Sequence, residues 1–172
     1  ERAEMQQIID REKGGFKLAA WDWDFYAEKL RQEKYALNED EIKPYFQMEN
    51  VRAGVFAVAS RLYGLKFEKL DSVPTYHADV ETFKITDADG SLIGVLYTDY
   101  FPRPGKRAGA WMNNITDQYK KEGINHRPII CNVGNFTKPT ASAPSLLNMD
   151  EVETLFHEFG HALHGLLTQC SY

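Results

Sequence analysis

The chain has 172 residues, of which 43% are hydrophobic and 13% aromatic. That is enough for one domain with a real core and argues against wholesale disorder. Lys and Arg total 20 against 25 Asp and Glu, a net charge of -5, which argues against nucleic acid as the main partner because phosphate contacts need a basic surface.

No stretch approaches the roughly 20 apolar residues of a membrane helix; the longest mostly apolar run is Gly54 to Ser60, so no membrane partner is expected. Cys131 and Cys170 do not make a disulfide scaffold, although one bridge between them stays open. The cytoplasm is the expected compartment, with the periplasm as the alternative, and no signal-peptide pattern opens the chain. The chain starts inside a helical pattern without an initiator Met and ends without a tail, so it reads as a piece of a larger protein. It carries no sign of an oligomeric state.

In chain order, residues 1–13 are charged and helix-favouring, and Gly14-Gly15 stops them. Asp22 or Asp24 caps a second helix running to about Leu37. Asn38 with Glu41 fits a capping box for a short turn before Pro44. A third helix spans Gln47 to Tyr63 and stops at Gly64, with Gly54 inside it costing about 1 kcal/mol. Lys66 to Leu70 reads as a strand. Val80 to Thr86 and Leu92 to Tyr100 flank the turn signal Asp87-Ala88-Asp89-Gly90 and read as a hairpin. Residues 102–109 form a loop, Pro128 to Val133 a short strand, and residues 137–145 another loop. The last helix begins near Met149, where Asn148 and Glu151 have the spacing of an N-cap and its N3 acid.

The strands cluster instead of alternating with helices, which predicts an α+β fold. The expectation is a single unit: 1–65 helical, 66–136 strand-rich with a small mixed or antiparallel sheet, and 148–170 a long helix.

The last helix carries His157-Glu158-Phe159-Gly160-His161, an H-E-x-x-H motif. At about 100° per residue the two histidines lie about 40° apart, one turn above the other. Two imidazoles so placed converge on one metal ion, and zinc accepts nitrogen ligands while keeping a position open for water. Zinc lowers the pKa of that water toward neutral. Glu158, about 60° round from His161, is then placed to take the water's proton as general base and return it to a leaving amine. Val152, Leu155, Phe159, Leu163 and Leu166 share the opposite face and predict an apolar back to the helix. Gly160 and Gly165 are expected to leave the polar front uncrowded. A third protein ligand is required. The H-E-x-x-H-x-x-G-x-x-H extension fails, because the chain has His164 and Leu167 where it needs Gly and His. His164 and Glu153 converge poorly with the pair along one straight helix and read as supporting residues, so the third ligand is expected beyond Tyr172.

The run His157 to Leu166, with its lead-in Glu151 to Phe156, resembles the active-site helix of the thimet oligopeptidase family of zinc metallopeptidases. Trp21-Asp22-Trp23-Asp24-Phe25-Tyr26-Ala27-Glu28-Lys29, Lys43-Pro44-Tyr45-Phe46, Gly109-Ala110-Trp111-Met112 and Pro128 to Val133 with Asn135-Phe136 fit the same family, above all its bacterial dipeptidyl carboxypeptidase branch. The resemblance covers nearly the whole chain but only a fraction of a family member. It implies one zinc ion per site held by His157 and His161, with Glu158 catalytic. Its third ligand is a glutamate that this chain lacks. It also implies a helical channel that admits only short peptides as substrates, and release of C-terminal dipeptides. An endo-acting oligopeptidase is the near alternative, and a non-catalytic structural or peptide-binding piece the distant one. The chain alone is expected to have an incomplete site and little or no activity. By the same resemblance, Ile129 to Phe136 or the strands beside it bind substrate backbone by strand addition, with a buried sheet strand as the equal alternative.

Other groups weigh less. Trp21, Trp23, Phe25 and Tyr26 read as core packing at a helix entry more readily than as a peptide pocket. Asp87 and Asp89 lack a calcium loop's spacing and read as turn residues. Arg103, Lys106 and Arg107 read as a solvated loop in preference to a clamp on a peptide carboxylate. His77 and His126 read as structural or surface residues.

Overall fold

In a computed structural model, which describes residues 1–35 and 39–170 apart from the side chains of Glu39 and Asp40, the chain divides into two units, Glu1–Ile42 and Lys43–Tyr172. The capping box expected at Asn38 and the helix end expected near Leu37 lie outside the described residues.

The first unit holds α1 (Arg2–Arg11), a 3-10 turn (Ala20–Asp22), α2 (Trp23–Tyr35) and α3 (Glu39–Ile42). Asp22 stands immediately before α2, and its carboxylate accepts a hydrogen bond from the Ala19 N–H at 3.1 Å. Met5, Ile8, Ile9, Leu18 and Tyr26 form the unit's core. The Gln6 side chain accepts from the Leu18 N–H at 2.8 Å and donates to the Phe16 carbonyl at 3.0 Å, so it holds the turn after α1. Lys29 with Glu12, Lys34 with Glu4 and Arg11 with Glu33 add exposed ion pairs between α1 and α2, each of small value in water. Among the four aromatics expected in a core, only Tyr26 is buried; Trp21 is 87% and Phe25 59% exposed. Tyr26 joins the core against α1, while Trp21 and Phe25 lie on the wet side of the same short segment.

The second unit begins with α4 (Met48–Tyr63), which ends at Gly64 with φ 74°, its N–H bonded to the Ser60 carbonyl at 2.9 Å. The strands are β1 (Lys66–Lys69), β2 (Glu81–Thr86), β3 (Leu92–Asp99), β4 (Trp111–Thr116), β5 (Tyr119–Lys121), β6 (Ile124–His126) and β7 (Ile129–Val133), and α5 (Met149–Leu167) closes the unit. One mixed sheet has the order β1-β2-β3-β7-β4, and β5-β6 form a separate pair. The expected hairpin is present: β2 and β3 are antiparallel, and the Asp87 and Asp89 carboxylates accept turn N–H groups of Ala88 and Ser91. β3 pairs with β7 in parallel, and β4 runs antiparallel to β7. The fold is α+β, as its clustered strands predicted.

β4, β5 and β6 had no local signal. Asn113 and Asn114 are poor strand residues, so β4 exists through its pairing with β7. The β5–β6 turn uses Glu122 at φ 52° and Gly123 at φ 78°, a left-handed pair that usually announces itself as Asn-Gly or Asp-Gly.

α4 and α5 pack on one face of the sheet. Phe56 stacks on Phe67 at 4.2 Å between ring centroids and meets Phe83 edge-on at 5.0 Å. Leu155, Phe159, Ala162 and Leu166 of α5 join Leu96 and Ile130 of the sheet in the same core. At the end of β3, Asp99 is 2% exposed. It receives Arg103 at 2.7 and 2.8 Å, Lys106 at 2.8 Å and the Tyr76 hydroxyl at 2.9 Å. Lys106 also donates to the carbonyls of Asp99, Phe101 and Gly134. The 102–109 segment is therefore pinned to the sheet, and its Arg103 and Lys106 are not the solvated side chains expected from composition. Tyr76 is exposed as a residue, but its hydroxyl lies between Asp99 and Cys131, and desolvation there, followed by the Cys131 contact, raises its phenol pKa.

Burial alone would raise the Asp99 carboxyl, but Arg103, Lys106 and Tyr76 outweigh it and hold the pKa at about 2, against 3.8. The ionised form is thus favoured on folding, so this stabilisation is full above about pH 4 and is lost as pH falls toward 2. It amounts to roughly 2 kcal/mol. Urea unfolding across this range should show the loss. Asp99→Asn should abolish that part of the pH dependence and cost about 2–4 kcal/mol at neutral pH, because Lys106 stays buried without its carboxylate.

Candidate active site

Helix α5 is built as its sequence predicts. The Asn148 side chain accepts from the Glu151 N–H at 2.8 Å, and the Glu151 carboxylate accepts from the Asn148 N–H at 2.9 Å, a reciprocal capping box. At the other end Arg127 donates to the carbonyls of Leu166 and Thr168, and to Ile93 of β3 at 2.7 Å. Those helix carbonyls have no intrahelical partner, so one guanidinium satisfies them and ties the helix end to the sheet.

Leu155, Phe159, Ala162 and Leu166 are buried, with Val152 and Leu163 partly so, and His157 and His161 are exposed. The two Nε2 atoms lie 3.2 Å apart, with the rings nearly edge-on at 78°. Zinc–nitrogen bonds of about 2.05 Å at a tetrahedral angle would set two ligand nitrogens about 3.3 Å apart, so the pair fits that ion. Glu158 is partly buried next to His157. Among the described residues no third His, Cys, Asp or Glu joins the pair as a ligand cluster. Glu153 and His164 are exposed, one turn before and one turn beyond the pair.

The two glycines of this helix behave differently. A Cβ on Gly160 would touch nothing within 4 Å, so that side is open as expected. A Cβ on Gly165 would lie 2.8 Å from Ile130 Cδ1 and 3.2 Å from Asn114 Oδ1. Gly165 therefore faces the sheet and permits close approach, instead of clearing the polar front. Its position shows where the histidine side of α5 runs: beside Met112 and Asn114 of β4.

β4 is the edge of the sheet, while Ile129–Val133 is flanked by β3 and β4. Of the segments expected to add a substrate strand, the neighbour β4 has an edge unpaired among the described residues; β7 does not. From Asn113 onward β4 is exposed. The loop before it is held by Asn135, whose side-chain N–H groups reach the carbonyls of Arg107 at 2.9 Å and Gly109 at 2.7 Å. The Arg107 guanidinium lies 4.6 Å from the Trp111 ring centroid. His77 accepts from the Asp79 N–H and His126 stacks on Tyr119, as structural residues do. Cys131 and Cys170 are both free. No helix among the described residues is long and apolar enough to cross a membrane.

α5 thus sets two converging imidazoles beside the edge strand of the sheet. The chain belongs to peptidase family M3, whose model matches residues 1–172. It is similar to the dipeptidyl carboxypeptidase of Salmonella typhimurium, 48% identical over 173 residues, and to that of Escherichia coli at 45%. Each match covers all of this chain and 25% of the relative. Oligopeptidase A of Haemophilus influenzae is 38% identical over 170 residues, 98% of this chain and 25% of that protein. The chain thus spans about a quarter of the length of these relatives.

The contrast between the glycines is measurable. Gly160→Ala should be neutral or stabilise by up to about 1 kcal/mol, since it gains helix propensity at no steric cost. Gly165→Val should destabilise by about 1–3 kcal/mol through overpacking against Ile130. Urea midpoints of the two variants check both directions.

Proposed function

We propose that the full-length protein hydrolyses short peptides with the help of zinc and releases C-terminal dipeptides. The observation that carries this is the 3.2 Å separation of the His157 and His161 Nε2 atoms on the open side of α5. The similarity to dipeptidyl carboxypeptidases supports the dipeptide product. His157 and His161 hold the metal, which supplies a Lewis acid for the scissile carbonyl and makes water a nucleophile near neutral pH. Glu158 takes the proton of the attacking water and passes it to the leaving amine. The free edge of β4 hydrogen-bonds the extended peptide backbone and orients it along the helix. Two imidazoles are all that the described residues bring to the ion, so this chain alone is proposed to bind zinc weakly and to be inactive. The low cysteine count keeps the cytoplasm as the proposed compartment.

The similarity to oligopeptidase A favours a second reading, internal cleavage of oligopeptides. Mapping the products of the full-length enzyme separates the two, because only the first yields dipeptides from the C-terminus. A full-length protein that hydrolyses no peptide would leave a non-catalytic module.

In the full-length enzyme, Glu158→Gln should keep a full complement of zinc and lower kcat by about 100- to 10,000-fold, the range for a lost general base. His157→Ala should lose the metal. Zinc content and turnover measured on the same preparations test both roles, and a Glu158→Gln variant with near wild-type turnover would rule out Glu158 as the base. For the 172-residue chain, zinc titration should show weak binding that His157→Ala removes.

A further inference from the structure

We propose that Arg107 receives the free α-carboxylate of a peptide laid along β4, and thereby sets the register that releases dipeptides. This rests on the peptidase reading above.

Three cations occur in the loop before β4. Arg103 and Lys106 are committed to Asp99. Arg107 takes part in no ion pair among the described residues and is exposed, so its charge is available to a ligand. It is also positioned. Its carbonyl is held by Asn135, and its guanidinium lies over the ring of Trp111, the first residue of β4. A guanidinium laid over an aromatic ring keeps its edge N–H groups free to meet a carboxylate in a forked, charge-assisted pair.

Strand direction then decides which end of a peptide meets it. A peptide added antiparallel to β4 places its C-terminus at the Trp111 end, where the arginine stands. Gly165 lies against Met112 and Asn114, one helical turn beyond His161. Each strand residue advances about 3.4 Å. A peptide whose scissile bond lies beside His161 therefore has only a short stretch left before it reaches the head of the strand. In the proposed register that stretch holds the two residues of the leaving dipeptide, whose carboxylate meets Arg107.

The test compares a free-acid peptide with its C-terminally amidated twin in the full-length enzyme. The wild type should prefer the acid in kcat/KM by about tenfold to a hundredfold, the worth of a hydrogen bond to a charged group. Arg107→Gln should erase that preference through a higher KM for the acid, with a much smaller change for the amide. Arg107→Lys should restore part of it. A preference that survives Arg107→Gln, or an equal loss for both peptides, would overturn the proposal. Wild-type hydrolysis of both peptides at equal rates would overturn it and leave the peptidase reading intact. Wild-type failure to cleave either would sink both.

Discussion

The second unit depends on the close seating of α5 against the sheet. Gly165 on the helix lets the Ile130, Asn114 and Met112 side chains close on its backbone, and Gly94 on β3 makes room for Leu166: a Cβ on Gly94 would lie 2.7 Å from Leu166 Cδ2 and 2.8 Å from the Pro128 carbonyl. The apolar stripe Leu155, Phe159, Ala162 and Leu166 is fully buried by this contact. The histidines point away from the stripe because 3.6 residues per turn leaves them no other direction. The same contact sets α5 beside β4. Helix seating, ligand exposure and access to the sheet edge are consequences of one packing arrangement.

A second constraint lies at the end of β3, where a carboxylate is buried against two cations. Taking these charges out of water is costly, and only full hydrogen bonding offsets it. Asp99 and Lys106 meet that condition, the carboxylate through Tyr76 and Arg103 and the ammonium through the backbone carbonyls. The result is an ordered approach to β4 made from residues that, by composition, belong to a mobile loop. Charge pairing also sorts three similar side chains into two structural ones and one that is left for solvent or ligand. The two roles are coupled: Arg107 keeps its place because its neighbours are occupied.

The aromatic residues show the same dependence on partners. In the second unit, Phe56, Phe67, Phe83 and Phe159 come from four different elements and pack into one cluster. In the first unit, Trp21 and Phe25 are as apolar but lie outward, because the small core that α1 builds there is filled by Leu18, Tyr26, Ala27 and Leu30.

Local features were legible in the sequence because their causes are local. The capping box of Asn148 and Glu151, the amphipathic period of α5, the Gly64 stop and the Asp87–Gly90 hairpin each depend on residues a few positions apart, and the one-turn spacing that brings His157 to His161 is of the same kind. Tertiary structure alone decided which strand has a free edge, that β3 and β7 run parallel, that Gly165 faces the sheet, and that Asp99 claims Arg103 and Lys106 but not Arg107. Sheet order and buried charge pairing join residues far apart in the chain, and a strand such as β4, with asparagines at its centre, forms only because a partner strand supplies the hydrogen bonds that its own side chains do not favour.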